Sequence, residues 1–185
     1  MVETGDLKKG MTIELDGQLY TVLDYQHIKM GRGSAQVRLK LRDVRAGHTI
    51  ERTFQAGERF NRVRLEQKSA QYLYQDAGLY YFMDNETFEQ SPLTGEQLGD
   101  ALNYLKENMS VMISRHGDEP VSVELPITVE LEVTETGPSY KGDTSSAGTK
   151  PAVLETGITV QVPFFINTGD VVRVDTRNGS YVERA

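Results

Sequence analysis

Glycine-ended turn pairs interrupt this chain at close intervals: Asp16-Gly17, Ala46-Gly47, Ala77-Gly78, Thr94-Gly95, His116-Gly117 and Asn178-Gly179. Between them run short segments in which apolar and polar residues alternate. Period-two alternation marks strands with one buried face, and turn residues at this spacing join such strands into small barrels or sandwiches. The expected fold class is therefore all-β. One helix is expected over Gly95 to Asn108, where Leu98, Ala101, Leu102 and Leu105 recur at three- and four-residue spacing as one apolar stripe. A shorter helix is expected near Ala56, with Phe60 and Val63 buried.

The 185 residues suffice for one ordinary domain or several small ones. Two boundaries are expected. One falls near Val63, where the charge balance changes sign, and the other at Leu125-Pro126, between two alternating segments. This divides the chain into modules 1–63, 64–126 and 127–185. The chain has no cysteine, which removes disulfides, thiolate zinc sites, thiol catalysis and iron–sulfur clusters. No apolar run reaches membrane-spanning length. Met1 to Leu7 carries acids and lacks the apolar core of a secretion signal. These features predict a cytoplasmic protein without a membrane partner.

Net charge is −7, which argues against indiscriminate coating of nucleic acid. Its distribution is uneven: residues 1–63 carry +3 and residues 64–185 carry −10. Lys29 to Arg52 alone holds seven basic residues against Asp43 and Glu51. One cationic end on an acidic body suggests RNA binding at a defined place. A solvated basic face is the plainer alternative.

At the centre of that cationic end, Lys29-Met30-Gly31-Arg32-Gly33-Ser34-Ala35 separates two alternating segments, Leu19 to Ile28 and Val37 to Leu41. This reads as a hairpin whose tip holds Arg32 between two glycines. Glycine permits positive φ and close approach of backbone to a ligand. Two readings fit: a cation held out on a finger, or an ordinary turn with exposed charges. A second long loop, Gly137 to Lys150, is rich in small residues. Within it, Gly142-Asp143-Thr144 offers backbone amides and a hydroxyl suited to phosphate or base edges. A plain surface turn fits it equally.

Nothing in the sequence points to catalysis. His27, His48 and His116 lack neighbouring ligands at zinc-site spacing, so no metal is expected. Gly31-Arg32-Gly33 opens like a dinucleotide fingerprint and fails, because Gln36 occupies the last glycine position. No carboxylate pair stands out for acid–base work, and no cofactor is expected. A stand-alone RNA-binding barrel would need stacking aromatics on one face. Tyr72, Tyr74, Tyr80, Tyr81 and Phe82 are candidates, although alternation assigns half of them to a core.

The motifs together resemble the bacterial translation elongation factor P family over essentially the full length. The finger matches the family's Lys-Pro-Gly-(Lys or Arg)-Gly tip, with Met30 in place of the usual proline. Lys150-Pro151-Ala152-Val153-Leu154-Glu155-Thr156-Gly157, then Val160-Gln161-Val162-Pro163, Ile166 and Gly169, reproduce the family's C-terminal signature without a gap. Gly142-Asp143-Thr144 matches its third-domain loop, and Tyr181 to Arg184 its ending.

The resemblance implies an SH3-like (KOW-like) first domain and two OB-fold domains in an L-shaped, tRNA-like arrangement. It implies a non-enzymatic elongation factor that enters the ribosome between the peptidyl and exit tRNA sites and relieves stalling at consecutive prolines. By residue-wise carry-over, Arg32 contacts the acceptor end of peptidyl-tRNA, positioned by Gly31 and Gly33, with Lys29 and Met30 beside it. Gly142, Asp143 and Thr144 would lie near the exit-site codon of the mRNA on the small subunit, and Tyr181 and Arg184 would contact tRNA. Both ribosomal subunits are thus implied as partners of a monomeric factor. Arg32 is also the position at which a modifying enzyme of the family would act, and Met30 predicts that it stays unmodified. A paralogue with another ribosomal task remains the nearest alternative.

Overall fold

A computed structural model describes residues 1–28, 33, 35–138 and 148–185. Three antiparallel sheets follow one another along the chain. The first contains β1 (Val2–Glu3), β2 (Thr12–Leu15), β3 (Gln18–Ile28), β4 (Gln36–Asp43), β5 (Thr49–Gln55) and β6 (Arg59–Val63), in the order β1-β6-β2-β3-β4-β5. The second contains β7 (Glu66–Asp76), β8 (Leu79–Asp84), β9 (Gln90–Thr94), β10 (Ser110–His116) and β11 (Glu119–Glu124), in the order β11-β10-β7-β8-β9. The third contains β12 (Thr128–Thr136), β13 (Thr149–Leu154), β14 (Thr159–Pro163), β15 (Val171–Asp175) and β16 (Ser180–Arg184), in the order β14-β13-β12-β15-β16. Chain contacts group these residues into two compact units. One comprises Met1–Lys68, Leu93–Gly99 and Ile113–Val123; the other comprises Ser69–Pro92, Asp100–Met112 and Glu124–Ala185.

Alternation places the cores. In β4, Val37, Leu39, Leu41 and Asp43 are buried while Arg38, Lys40 and Arg42 are exposed. The three aliphatics join Leu7, Ile13, Tyr20, Val22 and Phe60 in the first core. In β12, Val129, Leu131 and Val133 point inward between exposed Thr128, Glu130 and Glu132. They pack with Val160, Val162, Ile166, Val172, Val174 and Tyr104. Apart from β3 and β7 the strands are short, so each depends on the sheet face it shares with its neighbours rather than on local propensity.

Asp43 shows how a buried acid is accommodated at a strand end. Its Oδ1 accepts hydrogen bonds from the backbone N–H of Arg45 at 2.8 Å and of Ala46 at 2.7 Å, closing an Asx turn. Asp175 repeats the device with Arg177, whose N–H donates to Oδ1 at 2.9 Å. The Arg177 guanidinium also donates to both carboxylate oxygens, at 3.0 and 2.6 Å.

Two helical expectations are corrected. The apolar stripe after Thr94 forms only a short α-helix, α1 (Gly95–Leu98), followed by a 3-10 turn at Gly99–Asn103. The start is well specified: Thr94 and Gln97 form a reciprocal capping box. Gly99 then adopts φ +51, which an α-helix does not allow, and the helix stops. Tyr104, absent from the expected stripe, is the buried residue beyond it. No helix begins near Ala56. Gly57 turns the chain at φ +87 and Phe60 enters the core from β6. Among the described residues, no helix is long and apolar enough to cross a membrane.

Candidate nucleic-acid interface

The finger is built on the longest hairpin of the first sheet. β3 and β4 pair from Tyr20 opposite Asp43 to Ile28 opposite Gln36. On its other side β4 pairs with β5, and the last pair is again at Gln36, opposite Gln55. The N–H of Ala56 donates to Ala35 O at 2.8 Å, carrying the ladder one step further. β4 is therefore held by hydrogen bonds on both edges up to the base of the finger. At the tip, Gly33 is exposed. Lys29, Met30, Gly31 and Arg32 lie outside the described residues.

Pairing also defines what the basic face of β4 meets. Side chains directly opposite one another share a face. Lys40 lies between Asp24 and Glu51, whereas Arg38 lies between Gln26 and Thr53, and Arg42 between Thr21 and Thr49. Asp24 is itself bonded to Lys9 at 2.8 Å, and that hydrogen bond is the main cause holding its carboxyl below the ordinary value. Other basic residues of the cluster are paired: Arg45 with Glu119 at 3.2 Å and Arg52 with Asp16 at 2.7 Å. Arg59, further along the chain, pairs with Glu3 at 2.8 Å. The charge count in the sequence therefore overstates the open cationic surface. Arg38 and Arg42 make no ion pair among the described residues. His27, also at the finger base, sits opposite Val37 with its ring edge-on to Tyr25, centroids 5.8 Å apart.

Gly142, Asp143 and Thr144 lie outside the described residues, but the frame of their loop is visible. β12 and β13 pair up to Thr136 opposite Ala152. Beyond that pair the Lys150 side chain, only 6% exposed, donates from Nζ to Gly137 O at 2.6 Å. Thr136 Oγ1 donates to Pro151 O at 3.0 Å alongside it. At the far end, a Cβ on Gly148 would lie 2.1 Å from the Phe164 ring, so the chain passes that ring closer than any side-chain-bearing residue can. In the sequence Lys150 stands only as a signature residue and Gly148 only as one small residue of the loop, because their work depends on contacts across the loop.

Tyr181 is half-buried against the third core, and Arg184, at the end of β16, is exposed. The Arg184 guanidinium lies 5.8 Å from the centroid of the Phe165 ring. Phe165, 55% exposed in the loop between β14 and β15, was not anticipated. In the second sheet, Tyr72 and Phe82 are buried. Tyr74 stacks on Tyr81 with centroids 4.8 Å apart and remains 43% exposed. Among the described residues, no group of three or more His, Asp or Glu side chains is arranged to hold a metal.

Comparison with known proteins places these three sheets. Residues 3–60 match the elongation factor P KOW-like domain, residues 65–123 its OB domain and residues 129–184 its C-terminal domain. Elongation factor P of Moorella thermoacetica is 56% identical over 185 residues, covering 100% of both chains. That of Natranaerobius thermophilus is 52% identical over 184 residues, covering 100% of this chain and 98% of the relative. The chain belongs to the elongation factor P family.

The family assignment agrees with the all-β architecture of a KOW-like domain followed by OB-type domains, and it makes the chain a translation elongation factor. Among solved structures, a translation initiation factor eif-5a family protein from Naegleria fowleri shares the fold at a TM-score of 0.51 and 14% identity, over 67% of this chain and 96% of that one. Within the elongation factor P framework, the hairpin β3–β4 belongs to the KOW-like domain, and Lys150, Phe165, Tyr181 and Arg184 belong to the C-terminal domain.

Proposed function

We propose that this factor binds the ribosome between the peptidyl and exit tRNA sites and promotes peptide bond formation at consecutive prolines by holding the peptidyl-tRNA in a reactive geometry. The observation that carries this reading is the β3–β4 hairpin, a stalk hydrogen-bonded on both edges of β4 as far as Gln36, in a chain of the elongation factor P family whose sequence puts Arg32 between the two strands. Arg32 is the contact to the acceptor end. Gly31 and Gly33 give it room, and Lys29 and Met30 flank it. Arginine suits this role without modification: it is long, permanently charged and presents planar donors to phosphate.

The chemistry is positioning rather than bond-making. Proline is a poor donor and acceptor because its ring restricts geometry. Fixing the reacting ends relative to each other removes part of the entropic barrier, an effect worth several kcal/mol when orientation is good. The ribosome supplies the reaction centre, and the factor acts as a monomer in the cytoplasm. Gly142, Asp143 and Thr144 face the exit-site codon on the small subunit, and Tyr181 and Arg184 contact tRNA.

The test is synthesis of a polyproline-containing reporter in a reconstituted translation system, with the unmodified recombinant protein and with Arg32→Ala. Rescue by the former alone is expected. Full rescue by a folded Arg32→Ala protein would defeat the reading. No rescue by either, with a sugar-sized or other mass increment on Arg32 in protein from the native host, would overturn the claim that bare arginine suffices. Without such an increment the same result favours a paralogue with another task, the reading that Met30 keeps open.

A further inference from the structure

The second compact unit is strongly acidic, and its described basic residues are Lys106, Lys150, Arg173, Arg177 and Arg184. Four of them are already engaged. Lys106 pairs with Glu155 at 3.1 Å, Arg177 pairs with Asp175 at 2.6 Å, and Arg173 bridges Glu130 and Glu183. Lys150 is spent on the carbonyl of Gly137. Arg184 differs from all of these: among the described residues it makes no ion pair, and its guanidinium lies over an aromatic ring.

Strand register explains how an arginine escapes neutralisation beside Glu183. Val172 opposes Arg184 and Arg173 opposes Glu183, but Val174 opposes Tyr181, so Val182 is skipped as a bulge. In a regular strand, residues three apart point to opposite faces. The bulge cancels that rule and puts Tyr181 and Arg184 on one face, the face of Val172 and Val174. Glu183 is left on the other face, in a row with Arg173 and Glu130. Acids and the free cation are thus sorted to opposite sides of β16.

We infer that Phe165 is a positioning residue for Arg184: its ring supports the flat face of the guanidinium and leaves the in-plane N–H donors for an RNA phosphate. The inference rests on the reading, proposed above, that this end of the chain contacts tRNA. The separation of 5.8 Å from the guanidinium carbon to the ring centroid lies within the range of cation–π attraction, which acts over the face of the aromatic ring. Phosphate recognition uses the edge of the guanidinium, so the two interactions do not compete. An anion is the occupant that charge complementarity selects, because Glu183 and Glu130 lie on the other face of β16 and leave the cation of Arg184 on its own face. RNA offers backbone phosphates whose oxygens match the guanidinium donors.

The experiment measures binding of the full-length protein to ribosomes carrying tRNA in the peptidyl site, across a salt titration. The variants are Phe165→Ala, Phe165→Leu, Phe165→Trp, Arg184→Ala and the Phe165→Ala/Arg184→Ala double. Arg184→Ala is expected to weaken binding about tenfold, the effect of one charge-assisted hydrogen bond, and to reduce the slope of log affinity against log salt by about one. Phe165→Ala and Phe165→Leu should show most of the same loss and the same change in slope, and the double variant should be no worse than Arg184→Ala. Phe165→Trp should retain affinity. Because the natural chain has no tryptophan, its fluorescence reports the site directly and should change on binding.

Leucine keeps the apolar bulk without the ring face, so it separates stacking from packing, and thermal melting of each variant checks the fold. Wild-type affinity and slope in Phe165→Leu would overturn the inference. So would losses that multiply in the double variant, or a weakened complex with an unchanged salt slope, which would indicate a protein partner. Polyproline rescue that fails in Arg32→Ala while Phe165 and Arg184 prove uncoupled sinks this inference alone. Rescue that survives in Arg32→Ala while they prove coupled sinks the proposed function of the finger alone.

Discussion

The Nζ of Lys150 lies 2.6 Å from the carbonyl oxygen of Gly137, joining the two ends of the long loop of the third sheet through a side chain that is almost fully buried. A buried ammonium requires such a partner, and a hydrogen bond made by a charged group contributes about 1.5–3 kcal/mol. Lys150→Met keeps the length of the side chain and removes the donor. It should lower the melting temperature by several degrees, while Lys150→Arg should restore part of the loss. Differential scanning calorimetry of the three proteins checks this, and an unchanged melt for Lys150→Met would show that the hydrogen bond contributes nothing net.

Gly179 and Gly17 have nearly the same left-handed backbone, φ +73 and +77, but different surroundings. A Cβ on Gly17 would meet nothing within 4 Å, whereas one on Gly179 would lie 2.9 Å from the Tyr104 hydroxyl oxygen. Gly17→Ala should therefore cost only the backbone part, about 1 kcal/mol. Gly179→Ala should cost that plus displacement of the buried Tyr104, roughly 2–3 kcal/mol in all. Chemical denaturation of both variants tests the order; equal costs would mean that Tyr104 moves freely.

Asp175 provides a pH prediction. Hydrogen bonds from Arg177, side chain first and then backbone, hold its carboxyl down at about 2 against an ordinary value of 3.8. A depressed folded-state value means that the stabilisation is complete above the unfolded value and is lost as pH falls from about 4 towards 2. Asp175→Asn should flatten that part of the profile of melting temperature against pH, with little further change in shape at neutral pH. A variant profile parallel to the wild type between pH 5 and 2 would remove Asp175 from the acid response.

The finger face offers a comparison between two arginines. Arg38 meets only Gln26 and Thr53 across the sheet, while Arg52 is paired with Asp16 at 2.7 Å. If this face approaches RNA, Arg38→Ala should weaken ribosome binding several-fold and reduce its salt dependence, and Arg52→Ala should do so less. Filter binding at two salt concentrations distinguishes them. A larger effect for Arg52→Ala would point to a different face.

The parts of the fold set by neighbours in sequence were legible in advance. The alternation of Val37, Arg38, Leu39, Lys40, Leu41 and Arg42 predicts the faces of β4, and Asp16-Gly17 and Ala77-Gly78 are left-handed turn pairs. Spacing alone predicts a helix over Gly95 to Asn108 because it does not weigh Gly99, whose backbone ends the helix. Ala56 read as a helix start because Phe60 and Val63 fit helical spacing, although Phe60 is delivered by a strand. Bulges were invisible for a deeper reason. They are slips of one strand against another, between Val22 and Asp24, between Tyr72 and Tyr74, and opposite Arg173 and Val174, and no single strand records its partner's register. The same limit hid the pairing of Phe165 with Arg184, which belong to different elements brought together by the third sheet.

The double-edged pairing of β4 has a thermodynamic consequence. A stalk hydrogen-bonded on one side bends and twists among many shapes, and a partner must select one of them at the moment of contact. Here both edges of β4 are tied as far as Gln36, so the disorder of the stalk is surrendered when the domain folds, with its own core to offset the cost. Encounter with a large partner then starts from a narrow distribution of stalk directions, which favours fast productive docking over prolonged search.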